Sequence, residues 1–132
     1  MKLAAVTFLV RDYDEAITWF VDVLQFRLLE DTALTDTKRW VLVQSGESDA
    51  CLLLAKAEGH LQDAALGKAA GGRVGYFLHT QDFDKSYKHM QAKGVRFRES
   101  PRQESYGKVC VFQDLYGNLW DLIEPSTFGS QV

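Results

Sequence analysis

Val10-Arg11-Asp12-Tyr13-Asp14-Glu15-Ala16-Ile17 joins strand-like to helix-like sequence through an Asp-aromatic-Asp triplet. The triplet returns as Asp82-Phe83-Asp84, at a constant offset of 70 residues. Before each copy lies a stretch that reads as a strand, residues 4–10 and 73–80. After each copy lies a helical stretch, from Glu15 to about Leu24 and from Lys85 to about Lys93. The second Asp of each triplet, Asp14 or Asp84, is expected to cap its helix. A carboxylate there accepts bonds from free first-turn amides and suits the positive end of the helix dipole. Ala16, Ile17, Phe20 and Leu24 form one apolar stripe at helical period. Tyr87 and Met90 form a thinner one, and Gly94 stands where the second helix should end.

Working outward, three more strand-like runs follow each helix: 26–29, 39–44 and 50–56 in the first half, and 95–98, 108–113 and 118–124 in the second. The last two runs of each half are joined by turn formers, at 45–49 and around 114–117. Residues 57–72, rich in Ala and Gly, read as a linker or a short helix. A half with one helix cannot cover both faces of its own sheet. The expected fold is therefore α+β. Two tandem βαβββ modules make a curved eight-stranded mixed sheet around a cleft, with helices outside. The expected organisation is a single domain over 1–132, with module one at about 1–56, a linker at about 57–72, module two at about 73–125 and a tail at 126–132.

Apolar residues make up 46% and charged residues 25% of the 132, an ordinary balance for a globular domain with its own core. The net charge of −3 argues against nucleic acid as the main partner, because phosphate binding needs a basic face. Val41-Leu42-Val43 and the run from Cys51 to Ala55 are far too short to span a bilayer. Met1-Lys2 leads straight into strand-like sequence with no signal-like stretch, so a cytoplasmic protein with no membrane partner is expected. Cys51 and Cys110 lie in apolar runs and are expected to be reduced and buried. No Cys-x-x-Cys or His-Glu-x-x-His spacing occurs.

Two stretches carry a resemblance. Val10 to Ile17 followed by Phe20, Val23, Leu24 and Phe26 is similar to the opening strand-helix signature of the vicinal oxygen chelate superfamily. That group contains glyoxalase I, bleomycin-resistance proteins and extradiol dioxygenases. The usual Gly before the last Phe of this signature is Gln25 here. Phe112-x-Asp114-x-x-Gly117-Asn118-x-x-Asp121-Leu122-Ile123-Glu124 resembles the closing hairpin. The resemblance runs from Lys2 to Pro125 and is specific for fold, but the fold hosts many chemistries. Metal-dependent members hold a divalent ion with His, Gln or Glu from the first and last strands of each half. Carried over by position, those four places fall at Ala5, Leu53, Gly75 and Asp121. Ala, Leu and Gly offer no side-chain donor, and one carboxylate is short of the about three protein ligands a catalytic metal needs. The resemblance thus implies a member without the metal site; no cofactor is expected, and a divalent metal is the exception.

Strand parity puts Gly75, Phe77 and His79 on one face, and Asp121 with Leu119 and Ile123 on one face of the last strand. If Gly75 faces the cleft, His79 and Phe77 do too. Asp121 and His79 are then the candidate catalytic or anchoring groups, each weighed against an ordinary hydrogen-bonded structural role. A carboxylate among apolar neighbours must find a partner, such as His79 or an Arg, or keep a proton. Phe77, Arg39, Trp40, Tyr106 and Lys108 are candidate ligand contacts, since aromatics beside cations suit a planar or anionic molecule. Their alternative is a place at strand ends on the surface. His60 and His89 offer less, and Trp19 and Trp120 are expected in the core or a subunit contact. Three functions stay open: a protein that binds a small organic molecule; a lyase, isomerase (lactoylglutathione lyase-like) or dioxygenase-type enzyme; and a structural homodimer with a filled cleft. A homodimer is expected under all three.

Overall fold

Each half folds as the repeat demands. In the computed structural model, which describes residues 1–47 and 50–126, the chain divides into two compact units, Met1–Ala69 and Ala70–Val132. Of the expected tail, everything beyond Ser126 lies outside the described residues. Unit one runs β1 (Ala5–Val10), α1 (Tyr13–Asp22), β2 (Arg27–Ala33), β3 (Arg39–Gln44), β4 (Cys51–Lys56) and a short α2 (Gly59–Ala65). Its sheet has the order β1-β4-β3-β2, with β1 and β4 parallel and the other pairs antiparallel. Unit two runs β5 (Val74–His79), α3 (Phe83–Ala92), β6 (Arg96–Phe97), β7 (Arg102–Glu104), β8 (Gly107–Gln113) and β9 (Leu119–Pro125). Its order is β5-β9-β8-β6, with β7 also paired to β8. Again the first and last strands are parallel. The α+β class and the duplicated strand-helix-strand order are thus as expected.

The strands are hydrogen-bonded as two mixed sheets, of four and five strands, rather than as one sheet of eight. The additional strand is β7. Segment 98–101, with Pro101, interrupts the run after β6, and the chain then pairs with β8 a second time. A proline has no N–H for a ladder and breaks the strand there. β2 is also longer than its apolar start suggests, because Glu30, Asp31 and Thr32 continue the pairing with β3 past a bulge at Leu28/Glu30.

One face of each sheet is sealed by its helix. In unit one Phe8, Val10, Leu54, Val41 and Val43 are fully buried, and Phe8 meets Phe20 of α1 edge-to-face at 5.1 Å. In unit two Phe83, Tyr87, Phe97 and Phe112 form a continuous ring series from α3 to β8. Each such buried side chain contributes about 1.5–3 kcal/mol. Cys51 and Cys110 are buried free thiols. Gln25 takes φ of +59°, the left-handed conformation that glycine supplies freely at that place in the signature.

The helix caps differ from expectation. The first Asp of each triplet caps, not the second: Asp12 accepts from the Glu15 amide at 2.8 Å and Asp82 from the Lys85 amide at 3.2 Å. The reason is the aromatic between them. Tyr13 and Phe83 are the first helical residues and both are buried, so the helix starts where its anchor enters the core. Asp12→Ala is expected to lose about 1 kcal/mol in urea denaturation. Asp14→Ala removes an exposed ion pair with Arg39 and is expected to lose clearly less. Equal losses would contradict this assignment.

Candidate functional site

The β5 residues Gly75, Phe77 and His79 are exposed, while Tyr76 and Leu78 point to the other side. On that other side Tyr76 stacks on Trp120 at 4.5 Å, and Trp120 on Phe112 at 5.7 Å. Trp120 therefore belongs to the core of unit two, as expected. Alternation then puts its neighbour Asp121 on the Phe77 face. The register sets Asp121 directly beside Phe77 of β5 and Val111 of β8, with Leu119 and Ile123 before and after it on the same face.

Asp121 is only 7% exposed, and its Oδ1 has no hydrogen-bond partner among the described residues. Burial pushes its carboxyl above the ordinary range; nearby Arg102 opposes this and Glu99 adds to it. Arg102 does not compensate Asp121 in full, because it is already held. Its Nε donates to Glu99 Oε1 and Oε2 at 3.2 and 3.1 Å, and its Nη1 to Glu104 at 2.7 Å. Glu99 is fixed in turn by the Val111 amide at 3.0 Å. Cys110 lies close by with its thiol pushed up to about 11, chiefly by burial, and is inert as a nucleophile. This face thus carries apolar side chains, one buried carboxyl whose proton affinity is raised, an Arg pinned between two glutamates, and an exposed aromatic residue.

The structure brings together Asp121, Phe77 and His79 on one sheet face of unit two. His79 lies diagonally from Asp121, since its own neighbour on β9 is Ile123. Tyr106 sits in the exposed β7–β8 turn and its side chain helps to hold Arg102 in its charged form. Lys108 is not part of this face. Its Nζ donates to Asp84 at 2.8 Å and lies 5.0 Å from the Phe83 ring centre, on the α3 side. Arg39 is likewise taken up on the α1 side of unit one, paired with Asp31 and Asp14 and lying over Tyr13. Trp40, on the opposite side of β3, is exposed. Glu99, Arg102 and Glu104 were not among the sequence candidates. Their signal is the period-two Arg102-x-Glu104 opposite Gly107 and Val109, which the preceding Pro101 conceals.

The metal-binding places of the resembling family do not suit an ion here. Ala5, Leu53 and Gly75 carry no donor, and a Cβ on Gly75 would lie 3.0 Å from that of Ala70, closer than an ordinary contact. Among the described residues no group of three or more His, Cys, Asp or Glu is placed to hold a metal.

The raised Asp121 carboxyl has a consequence for stability with a definite sign. Its proton is lost near pH 3.9 in the unfolded chain and at higher pH in the folded one. The stability tied to this proton is therefore complete below the unfolded value and declines as pH rises through the folded one. Asp31 and Asp84, held low by Arg39 and Lys108, act in the opposite sense. The expected result is that Asp121→Asn gains on the wild type, in melting temperature, as pH rises across this range. A difference that stays constant with pH would refute it.

Comparison with known proteins agrees with this architecture. The description "Glyoxalase/Bleomycin resistance protein/Dioxygenase superfamily" matches residues 2–122. An uncharacterized protein of Shewanella frigidimarina (strain NCIMB 400) is 47% identical over 125 residues, 93% of this chain and 93% of that protein. TnmS3, an antibiotic binding protein from Streptomyces sp. CB03234, is 25% identical with a TM-score of 0.76, over 96% of this chain and 97% of that one. A superfamily member from Sphaerobacter thermophilus DSM 20745 is 26% identical with a TM-score of 0.73, over 94% and 97%. With the duplicated strand-helix-strand order and a match over nearly its whole length, the chain belongs to the glyoxalase/bleomycin resistance protein/dioxygenase superfamily.

Proposed function

We propose that this protein binds a small organic molecule, in the manner of a resistance or sequestration protein, without a resident metal. The observation that carries the reading is the donor set. Where metal-dependent relatives place ligands, this chain has Ala5, Leu53 and Gly75, and the remaining Asp121 is a buried acid with an unpartnered oxygen on an apolar face. Such a face, with a few polar groups among apolar ones, suits an organic ligand. The description of TnmS3 as an antibiotic binding protein supports the same class. No described helix is long and apolar enough to cross a membrane. Exposed Leu28, Leu29 and Trp40 support pairing with a second copy as a homodimer.

A thermal-shift screen of aromatic and cationic compounds tests the reading, since a ligand that binds only the folded state raises the melting temperature. At least one class is expected to give a dose-dependent rise, and no response across the panel overturns the proposal. Elemental analysis of protein purified without chelators tests the metal-free part; stoichiometric Ni, Zn, Mn or Fe overturns it. A second reading has one observation in its favour. A carboxyl whose proton affinity is raised by burial is suited to metal-free acid/base chemistry. Turnover of a glyoxalase-type substrate that disappears in a folded Asp121→Asn variant would establish it.

A further inference from the structure

We infer that Asp121 recognises its ligand by donating a carboxyl O–H to a neutral oxygen acceptor, carbonyl or ether, on a planar aromatic molecule laid along Phe77. The inference rests on the binding reading above and narrows it to a ligand class. Three observations carry it. First, Oδ1 of Asp121 is buried and has no hydrogen-bond partner among the described residues, while the residue as a whole is 7% exposed. A carboxylate in that state lacks the donors that make burial of its charge tolerable. A neutral carboxyl instead carries one O–H that seeks an acceptor. Second, its direct register partners Phe77 on β5 and Val111 on β8, and Leu119 and Ile123 beside it on β9, have no polar side-chain atoms, and His79 lies only diagonally from it. Third, Phe77, its register partner on β5, is 63% exposed and offers an aromatic side chain on which an aromatic ligand can stack.

The charged groups nearby decide between ligand classes. Arg102 is paired to Glu99 and Glu104 and is not free to hold an anion. An anionic ligand would also meet those two glutamates. A cationic ligand would need Asp121 ionised and desolvated, at a cost that a carbonyl acceptor avoids. A neutral acceptor satisfies the buried carboxyl and charges nothing.

The test uses a matched set on the full chain: 9-fluorenone, its hydrocarbon counterpart fluorene, and the planar cation 9-aminoacridine. Wild type is expected to bind fluorenone about tenfold more tightly than fluorene, the size of one hydrogen bond. Asp121→Leu should bring the two ligands to equal affinity while fluorene still binds. Asp121→Asn should keep the preference, because its amide N–H donates in place of the O–H. Asp121→Ala replaces the leucine variant if that one does not fold. The inference is overturned if wild type binds ketone and hydrocarbon alike, if the preference survives Asp121→Leu, or if 9-aminoacridine binds most tightly and Asp121→Asn abolishes its binding. Those results leave the binding reading in place. Failure of all three probes to bind wild type overturns this ligand class, and the thermal-shift screen then decides the wider reading separately.

Discussion

Asp114→Ala is expected to destabilise the protein by about 4 kcal/mol, one of the largest losses available to a single substitution. Asp114 closes the turn between β8 and β9 and is 5% exposed. One oxygen accepts from the amides of Tyr116 at 2.9 Å and Asn118 at 3.1 Å. The other accepts from the Asn118 side-chain amide at 2.9 Å and from Trp120 Nε1 at 2.8 Å. Four donors thus converge on one carboxylate, and truncation leaves several of them buried without an acceptor. Each costs about 1–3 kcal/mol when orphaned. Asp114→Asn keeps one good acceptor and should lose about half as much. The effect reaches the candidate site, because the bond to Trp120 fixes which side of β9 its indole occupies and hence the side on which Asp121 emerges. Urea denaturation followed by tryptophan fluorescence provides the measurement. A loss below about 1 kcal/mol would falsify the hub assignment.

Much of this was legible in the sequence, for a definite reason. A period-two pattern fixes strand faces once one residue is anchored, and Trp120 and Leu122 anchor β9. That is why parity groups Phe77 with His79 on one strand and sets Asp121 apart from Trp120 and Leu122 on the other. The same parity, applied further, separates Lys108 from Val109 and Val111, and groups Arg39 with Val41 and Val43. Both cations thereby fall on the helix-covered side, where Asp84 and the pair Asp14 and Asp31 hold them. Their aromatic neighbours in sequence, Tyr106 and Trp40, do not share the contacts of these cations. What parity alone does not give is the partner of a charge. Glu99, Arg102 and Glu104 read as a solvated charged run broken by a proline, and only the folded chain brings Arg102 and Glu99 close enough to act on the buried Asp121. The caps failed for a related reason. Local chemistry made Asp14 and Asp84 as good as Asp12 and Asp82, and the burial of the intervening ring, a tertiary fact, chose between them.

The second large effect is expected at Gly107→Ala. Gly107 opens β8 with φ of +147°, and a Cβ there would collide with the Glu124 carbonyl oxygen and lie 3.0 Å from Pro125 Cα. These are backbone atoms of the neighbouring strand, held by the β8–β9 ladder, so they cannot step aside as a side-chain tip can. Backbone strain of about 1–3 kcal/mol and overpacking of similar size add to a loss of about 3–5 kcal/mol. A fall of about 10–20 °C in melting temperature follows for a domain of this size. The displaced strand matters beyond stability. Glu124 also accepts from the Phe83 amide at 2.8 Å at the start of α3, and Gly107 pairs with Glu104, which holds Arg102. A shift of β9 at this point therefore loosens the helix anchor and the charged frame around Asp121 together. Gly94→Ala separates the two causes, for Gly94 has φ of +81° with nothing within 4 Å of a new Cβ. It should lose only the conformational cost, about 1 kcal/mol. Equal losses at the two glycines would show that φ alone sets the cost, and that the close approach of the two strands does not make glycine obligatory at position 107.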